Sequence, residues 1–193
     1  MYIVGVDEAG RGPVAGPVAV GIIAVKDGFD ILAVFPGLND SKKLSEKKRE
    51  ALFARLQEQM HAGNVSAVVQ FVSASHIDEG GIAPAIRHAV ATGVGKLLPR
   101  PEEGKVYLDG SLKAPAEYAQ ETVIGGDGIV PAIMLASIAA KVTRDKHMTH
   151  LAETYPAYGF DRHKGYGTKA HYDAIRAHGP CLEHRRTFLK SVL

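Results

Sequence analysis

The stretch IVGVDEAGRGPVAGPVAVGIIAV, residues 3–25, decides the fold. Ile3 to Val6 is a short apolar run that ends in the charges of Asp7 and Glu8, and Val18 to Val25 is a second run rich in β-branched residues. Gly10, Gly12, Pro13, Gly16 and Pro17 lie between them, and glycine and proline at this density interrupt regular structure. The reading is strand, loop, strand. Outward from it, Val65 to Val72 supplies a third strand, and Lys105 to Leu108 and Glu121 to Ile124 supply two short ones, with Asp109 and Asp127 just beyond their ends. Ser45 can cap a helix that runs to about Ala62 and stops at Gly63, with Leu52, Leu56 and Met60 at helical spacing. A second helical stretch from Ser75 through Val90 is interrupted by Gly80, Gly81 and Pro84. Pro131 to about Leu151 is Ala-rich and helical, and Lys169 to His178 and Glu183 to Val192 read as two closing helices. Strands first and alternating elements afterwards predict an α/β fold, a mixed five-stranded sheet flanked by helices, with a helical C-terminal extension.

The 193 residues are 46% hydrophobic and 23% charged, and no run of about 18 apolar residues free of charge occurs. A disordered tail protein and a membrane-spanning protein are both disfavoured. The expectation is one domain over residues 1–193, with a catalytic core to about residue 150 and a basic helical extension from about 151 to 193. No basic segment, apolar core or cleavage site precedes the first strand, so a cytoplasmic protein is expected. The lone Cys181 cannot form an internal disulfide and suits a reducing compartment, so the sequon at Asn64-Val65-Ser66 is expected to carry no glycan. The net charge of +2 conceals an asymmetry. Residues 1–140 hold 13 basic against 16 acidic side chains, whereas residues 141–193 hold 10 against 5, together with six of the nine histidines. Such a segment can bind a polyanion or simply present a solvated basic face.

Four acids stand out: Asp7, Glu8, Asp109 and Asp127. Three of them close a short apolar strand, where an α/β sheet usually presents its functional groups. Neighbouring strands run about 4.8 Å apart, so Asp7 and Asp109 can share one hard cation if their strands pair. Four carboxylates carry a charge that two divalent cations would cancel, and two such ions about 3.5–4 Å apart can bind the attacking and leaving oxygens of a phosphodiester. The plainer alternative for each acid is a helix cap, a turn former or a surface charge. Side chains at Asp7 and Glu8 point to opposite faces of a regular strand, so Glu8 must leave strand geometry or contribute something other than its side chain.

Gly10-Arg11-Gly12-Pro13 forms a second constellation, in which glycines let the backbone approach a ligand and the arginine between them can pair with a phosphate. A dinucleotide fingerprint fails on spacing, and Asp7 and Glu8 beside the turn would repel a pyrophosphate. Asp161 to Thr168 is a basic loop around Tyr166, which can stack on a sugar or base or be an ordinary turn tyrosine. Asn39 to Ser45 can offer Lys42 to a phosphate or be a polar entry into the helix. His147 and His150 lack a third ligand at zinc spacing, and Cys181 has no adjacent base in sequence.

Together these residues resemble the bacterial ribonuclease HII family, the type 2 ribonucleases H. Gly5 to Pro13 is similar to the family's opening signature. Leu38 to Ser45, Tyr107 to Gly110, Ala136 to Asp145 and His163 to Thr168 resemble its later blocks in order. The resemblance implies an RNase H-like fold and an endoribonuclease that hydrolyses the RNA strand of RNA/DNA hybrids. It also implies cleavage 5′ of single ribonucleotides embedded in duplex DNA, leaving 3′-hydroxyl and 5′-phosphate ends with two Mg²⁺ or Mn²⁺ ions as cofactor. By position, Asp7, Glu8, Asp109 and Asp127 match the metal-binding catalytic acids. Gly10, Arg11 and Gly12 match the loop that senses the ribose 2′-hydroxyl, and Tyr166 matches its partner; Lys42 is expected to bind substrate as the lysine offered to a phosphate. Nothing in the chain demands a partner subunit, so a monomer is expected. One block departs from the family: Gly125-Gly126-Asp127-Gly128 stands where it usually has a Lys-Gly-Asp-Ser-like stretch. The other readings that remain are a hybrid-binding protein without catalysis and a nuclease of the same fold that cuts DNA.

Overall fold

The computed structural model describes residues 1–190. Five strands, β1 (Tyr2–Ala9), β2 (Val18–Lys26), β3 (Val65–Val72), β4 (Gly104–Asp109) and β5 (Ala119–Val123), form one mixed sheet in the order β3-β2-β1-β4-β5. β3, β2 and β1 run antiparallel as a meander, and β1, β4 and β5 run parallel. The helices are α1 (Ile31–Val34), α2 (Glu46–His61), α3 (Ala74–Gly80), α4 (Ile82–Leu97), α5 (Pro131–Thr154), α6 (Phe160–His163) and α7 (Lys169–His178). None of the described helices is long and apolar enough to cross a membrane.

Alternation along the strands assigns the two faces of the sheet. Val4 and Val6 of β1, Val20 and Ile22 of β2, and Val106 and Leu108 of β4 pack with Ile86, Val90 and Val94 of α4. Ile23 and Val25 pack on the opposite face with Leu135, Ile138 and Ala139 of α5 and with Leu52 and Leu56 of α2. α5 lies very close to the sheet. A Cβ on Gly5 would strike the main chain of Ala132, and one on Gly21 would strike the carbonyl of Ala136. Because backbone cannot yield as a side chain can, alanine at either position is expected to cost at least about 1–3 kcal/mol.

The C-terminal half of α5 runs past the sheet. Met148 and Leu151 gather Val14 and Ala15 of the β1–β2 loop, Tyr158, Phe160, Ile175 of α7 and Leu189 into a third core. This core ties the glycine-rich loop to the end of the chain.

The observed elements correct the sequence reading in several places. The break at residues 80–84 separates two helices, because Gly81 has φ 80°, while Pro84 sits in the first turn of α4, where no hydrogen-bond donor is needed. The four-residue helix α1, capped by Asp30, lacks a periodic signal long enough to read. Residues 183–190 form no α-helix; a short 3₁₀ turn spans Arg186–Phe188. Their backbone is claimed by the β1–β2 loop, since the Arg185 N–H donates to the Val14 carbonyl (2.8 Å) and the Gly16 N–H to the Glu183 carbonyl (2.7 Å). The remainder of that expected helix lies outside the described residues.

Candidate active site

The parallel pairing of β1 with β4 brings the acids together. The last paired residues are Val6 and Leu108, so Asp7 and Asp109 follow side by side, both on the face that carries α5. Gly126–Gly128 forms a 3₁₀ turn just ahead of α5, and it delivers Asp127 to the same place. One carboxylate oxygen from each of Asp7, Asp109 and Asp127 lies within 4.8 Å of the others. Among the described residues this is the one cluster of three or more potential metal ligands.

Each acid is fixed by a short contact. The Glu8 N–H donates to Asp7 Oδ1 (2.7 Å), the Gly126 N–H to Asp109 Oδ1 (2.7 Å), and Lys42 Nζ to Asp127 Oδ2 (3.0 Å). The last of these places Lys42 in the site. A Cβ on Gly126 would stand 2.6 Å from Ile133 Cδ1 and 3.4 Å from Asp109 Oδ1, so glycine there lets the turn press against β4. The departure from the family pattern at residues 125–128 therefore leaves Asp127 buried and directed at its partners.

Three carboxylates face one ammonium, and Asp7 is the most deeply buried of the three. Burial pushes its carboxyl up from 3.8 to about 8; a hydrogen bond from Ser137 of α5 opposes that shift, and the charges of Glu8 and Asp109 add to it. A site whose own acids repel one another, with hard oxygen donors converging, suits a divalent cation of the Mg²⁺ type.

Glu8 stays in strand geometry, paired with Val20, and its side chain points to the other face. There it accepts from Arg11 Nη1 (3.3 Å). Burial raises its carboxyl too, with Arg11 opposing and the charge of Asp109 adding. Its carboxylate lies outside the three-acid cluster but within the same field.

The loop after β1 stands beside the acids. Gly10 has φ 88°, and a Cβ there would collide with the guanidinium of Arg144. The Tyr166 ring, with 46% of its surface exposed, lies 4.0 Å from the position a Cβ on Gly12 would take. Arg11, Gly12 and Tyr166 thus form one accessible rim.

Several residues of this region carry no assigned role in the sequence reading. Ser137 reaches both Asp7 and the hydroxyl of Ser41 (2.8 Å). Arg144 is buried and donates to the carbonyls of Pro17 (2.8 Å) and Lys164 (3.0 Å). Its signal was available, since an arginine four residues before Met148 falls on the apolar stripe of α5. His147 and His150 do not converge on a ligand site: His147 packs against Phe71, and His150 meets Glu153. Cys181 lies 3.2 Å from His184 Nδ1, a base that sequence spacing did not suggest, yet burial raises its thiol and keeps it neutral.

A mixed α/β sheet with two carboxylates at adjacent strand ends and a third on the turn before α5, beside an arginine-bearing glycine loop, is the pattern of a metal-dependent nuclease of the ribonuclease H class. The ribonuclease HII family model matches residues 4–191, and the chain belongs to that family. It is 47% identical over 187 residues to ribonuclease HII of Geobacillus kaustophilus, covering 96% of this chain and 67% of that protein. It is 46% identical to the Bacillus anthracis enzyme, covering 97% of this chain and 68% of its relative. Its fold matches the crystal structure of ribonuclease H2 from Pyrococcus horikoshii OT3 with a TM-score of 0.79 at 25% identity, over 100% of this chain and 97% of that one.

Proposed function

We propose that this enzyme hydrolyses the RNA strand of RNA/DNA hybrids and cuts duplex DNA on the 5′ side of a single embedded ribonucleotide, leaving 3′-hydroxyl and 5′-phosphate ends. The observation that carries the reading is the convergence of Asp7, Asp109 and Asp127 within 4.8 Å, next to the Gly10–Gly12 loop and Tyr166.

Asp7, Asp109 and Asp127 would hold two Mg²⁺ or Mn²⁺ ions with the substrate, while Glu8 serves them through its N–H on Asp7 and the negative charge it adds to their field. Bound there, the ions supply positive charge for an attacking water and for the departing 3′ oxygen of the phosphodiester. The protein's own groups orient the site. Ser137 and the Glu8 N–H set the rotamer of Asp7, the Gly126 N–H sets Asp109, and Lys42, whose side chain is largely exposed, holds Asp127 with one of its three donors and keeps the others for a phosphate. Arg11, steadied by Glu8, faces the nucleic acid at the ribose, where its side chain and the Gly10–Gly12 main chain together read the 2′-hydroxyl, the group that distinguishes RNA from DNA. The basic segment after residue 150 adds phosphate contacts. The enzyme works in the cytoplasm as a single chain.

Binding alone does not separate this reading from a non-catalytic hybrid binder, because both predict salt-sensitive affinity. Turnover does. The purified protein with Mg²⁺ or Mn²⁺ is incubated with an RNA/DNA hybrid, a labelled duplex containing one ribonucleotide, and an all-DNA control. Cleavage of the first two and not the third is expected. Binding without cutting indicates the binder, and cutting of the control indicates a DNA nuclease.

A further inference from the structure

Two polar side chains that this chemistry leaves unused, His184 and Arg185, are neighbours in sequence and almost wholly buried. Their backbone is clamped to the glycine-rich loop by the bridge between Ala15 and His184. From this one point the two side chains reach opposite halves of the rim.

Arg185 runs beneath the loop. Its Nη2 donates to the carbonyl of Gly10 (2.6 Å), its Nη1 to that of Arg11 (3.0 Å) and its Nε to that of Gly16 (3.0 Å). A planar guanidinium presents these donors in a fixed fork, which a lysine cannot reproduce.

His184 reaches the other half, and its partners fix the tautomers. The Cys181 N–H donates to His184 Nδ1 (3.0 Å), so that nitrogen is an acceptor and the ring proton sits on Nε2. His184 Nε2 then donates to His171 Nε2 (3.1 Å), which puts the proton of His171 on Nδ1. His171 Nδ1 donates in turn to the main-chain carbonyl of Tyr166 (2.8 Å), an oxygen that also accepts from the Thr168 N–H (2.8 Å). All four ring nitrogens are used, and neither ring has room for a second proton. His163 stacks on His171 at 4.3 Å, and Tyr158 and Phe160 close around His184.

We propose that His184 and Arg185, the former acting through His171, are positioning residues of the ribose detector. They hold the Gly10 and Arg11 carbonyls and the Tyr166 main chain in one mutual geometry, and thereby set the preference for a ribose at the cut. The inference rests on the reading of Gly10–Gly12 and Tyr166 as that detector.

The test compares kcat/KM for a duplex with one ribonucleotide against the same duplex with a 2′-fluoro nucleotide at that position, which keeps the sugar but cannot donate a hydrogen bond. Arg185→Lys and His171→Phe are each expected to reduce this ratio by about tenfold or more, since a lost hydroxyl contact is a large discriminator. His171→Asn, whose amide N–H can reach the Tyr166 carbonyl, is expected to recover most of it. Leu56→Ala, a buried change in a different core, serves as a stability control that lowers the melting temperature and leaves the ratio unchanged. If folded Arg185→Lys and His171→Phe keep the wild-type ratio, the inference is overturned and these residues only stabilise the fold. Should one of the two fail to fold, the other decides. Arg11→Ala separates the two levels: an altered ratio there with none at residues 171 and 185 defeats only this inference, whereas an unaltered ratio there defeats the detector reading and this inference with it.

Discussion

Two regions of this molecule bury charge, and they do so in opposite ways. At the end of β1 and β4, Asp7, Asp109 and Asp127 come together with only Lys42 against them, and burial, with the charges of Glu8 and Asp109 adding to it, pushes Asp7 up to about 8. Beneath the β1–β2 loop, Arg144 and Arg185 are buried just as deeply, but each spreads its hydrogen bonds over three main-chain carbonyls, and His171 and His184 are neutral and mutually paired. No buried side-chain nitrogen or oxygen among the described residues lacks a partner. The second region is complete as it stands; the first offers converging carboxylate oxygens that could hold a metal ion. Unbalanced acidic charge marks the candidate site, and balanced burial marks the frame around it.

The largest effect that would break this contrast is loss of an acid from the first region. Asp109→Asn is expected to reduce cleavage at least on the order of a hundredfold in steady-state assays while circular dichroism and the melting temperature stay near wild type. Near-wild-type rates would remove Asp109 from the chemistry.

Next in size is the response to metal and pH. Because the folded-state pKa of Asp7 is raised from 3.8 to about 8, the metal-free fold favours its protonated form, so stability from this group is present below about 4 and is lost as pH rises toward 8. Mg²⁺ should therefore raise the melting temperature more at pH 8 than at pH 5, by a difference on the order of a few degrees. Asp7→Asn should raise the metal-free melting temperature at pH 8 and abolish the Mg²⁺ response. A Mg²⁺ shift independent of both pH and Asp7 would contradict the account.

The second region should behave in the opposite sense. Burial lowers His171 and His184 from 6.5 to about 4, so the stability they contribute is complete above about 6.5 and is lost as pH falls through about 4. Denaturant titrations between pH 7 and 4 should show this decline, and His171→Phe should flatten it. The smallest effect concerns Arg11, which is exposed and pairs with Glu8 across 3.3 Å. Arg11→Ala should leave the melting temperature within about 1 °C, as is usual for a surface pair, and chiefly weaken the choice of ribonucleotide over deoxyribonucleotide.

What the sequence discloses follows the same division. β3 (Val65–Val72) and α7 (Lys169–His178) are legible to the residue, because Gly63 and Asn64 precede one, and the Thr168 cap and Gly179 bound the other. The acids are legible as strand-end charges. Their convergence within 4.8 Å depends on the β1–β4 register, which local pattern does not encode. Arg185 was illegible for a related reason: its partners Gly10 and Arg11 lie 175 and 174 residues away, and residues 183–192 read instead as a closing helix. Glu8 illustrates the middle case, where alternation foretold that its side chain would part from that of Asp7 but not that it would hold Arg11.

Anomalous diffraction from crystals of the enzyme soaked in Mn²⁺ tests the central claim most directly. The account predicts a manganese peak in direct coordination with carboxylate oxygens of Asp7 and Asp109, lost in Asp109→Asn crystals treated in the same way. Manganese bound elsewhere, with these two side chains turned apart, would contradict it.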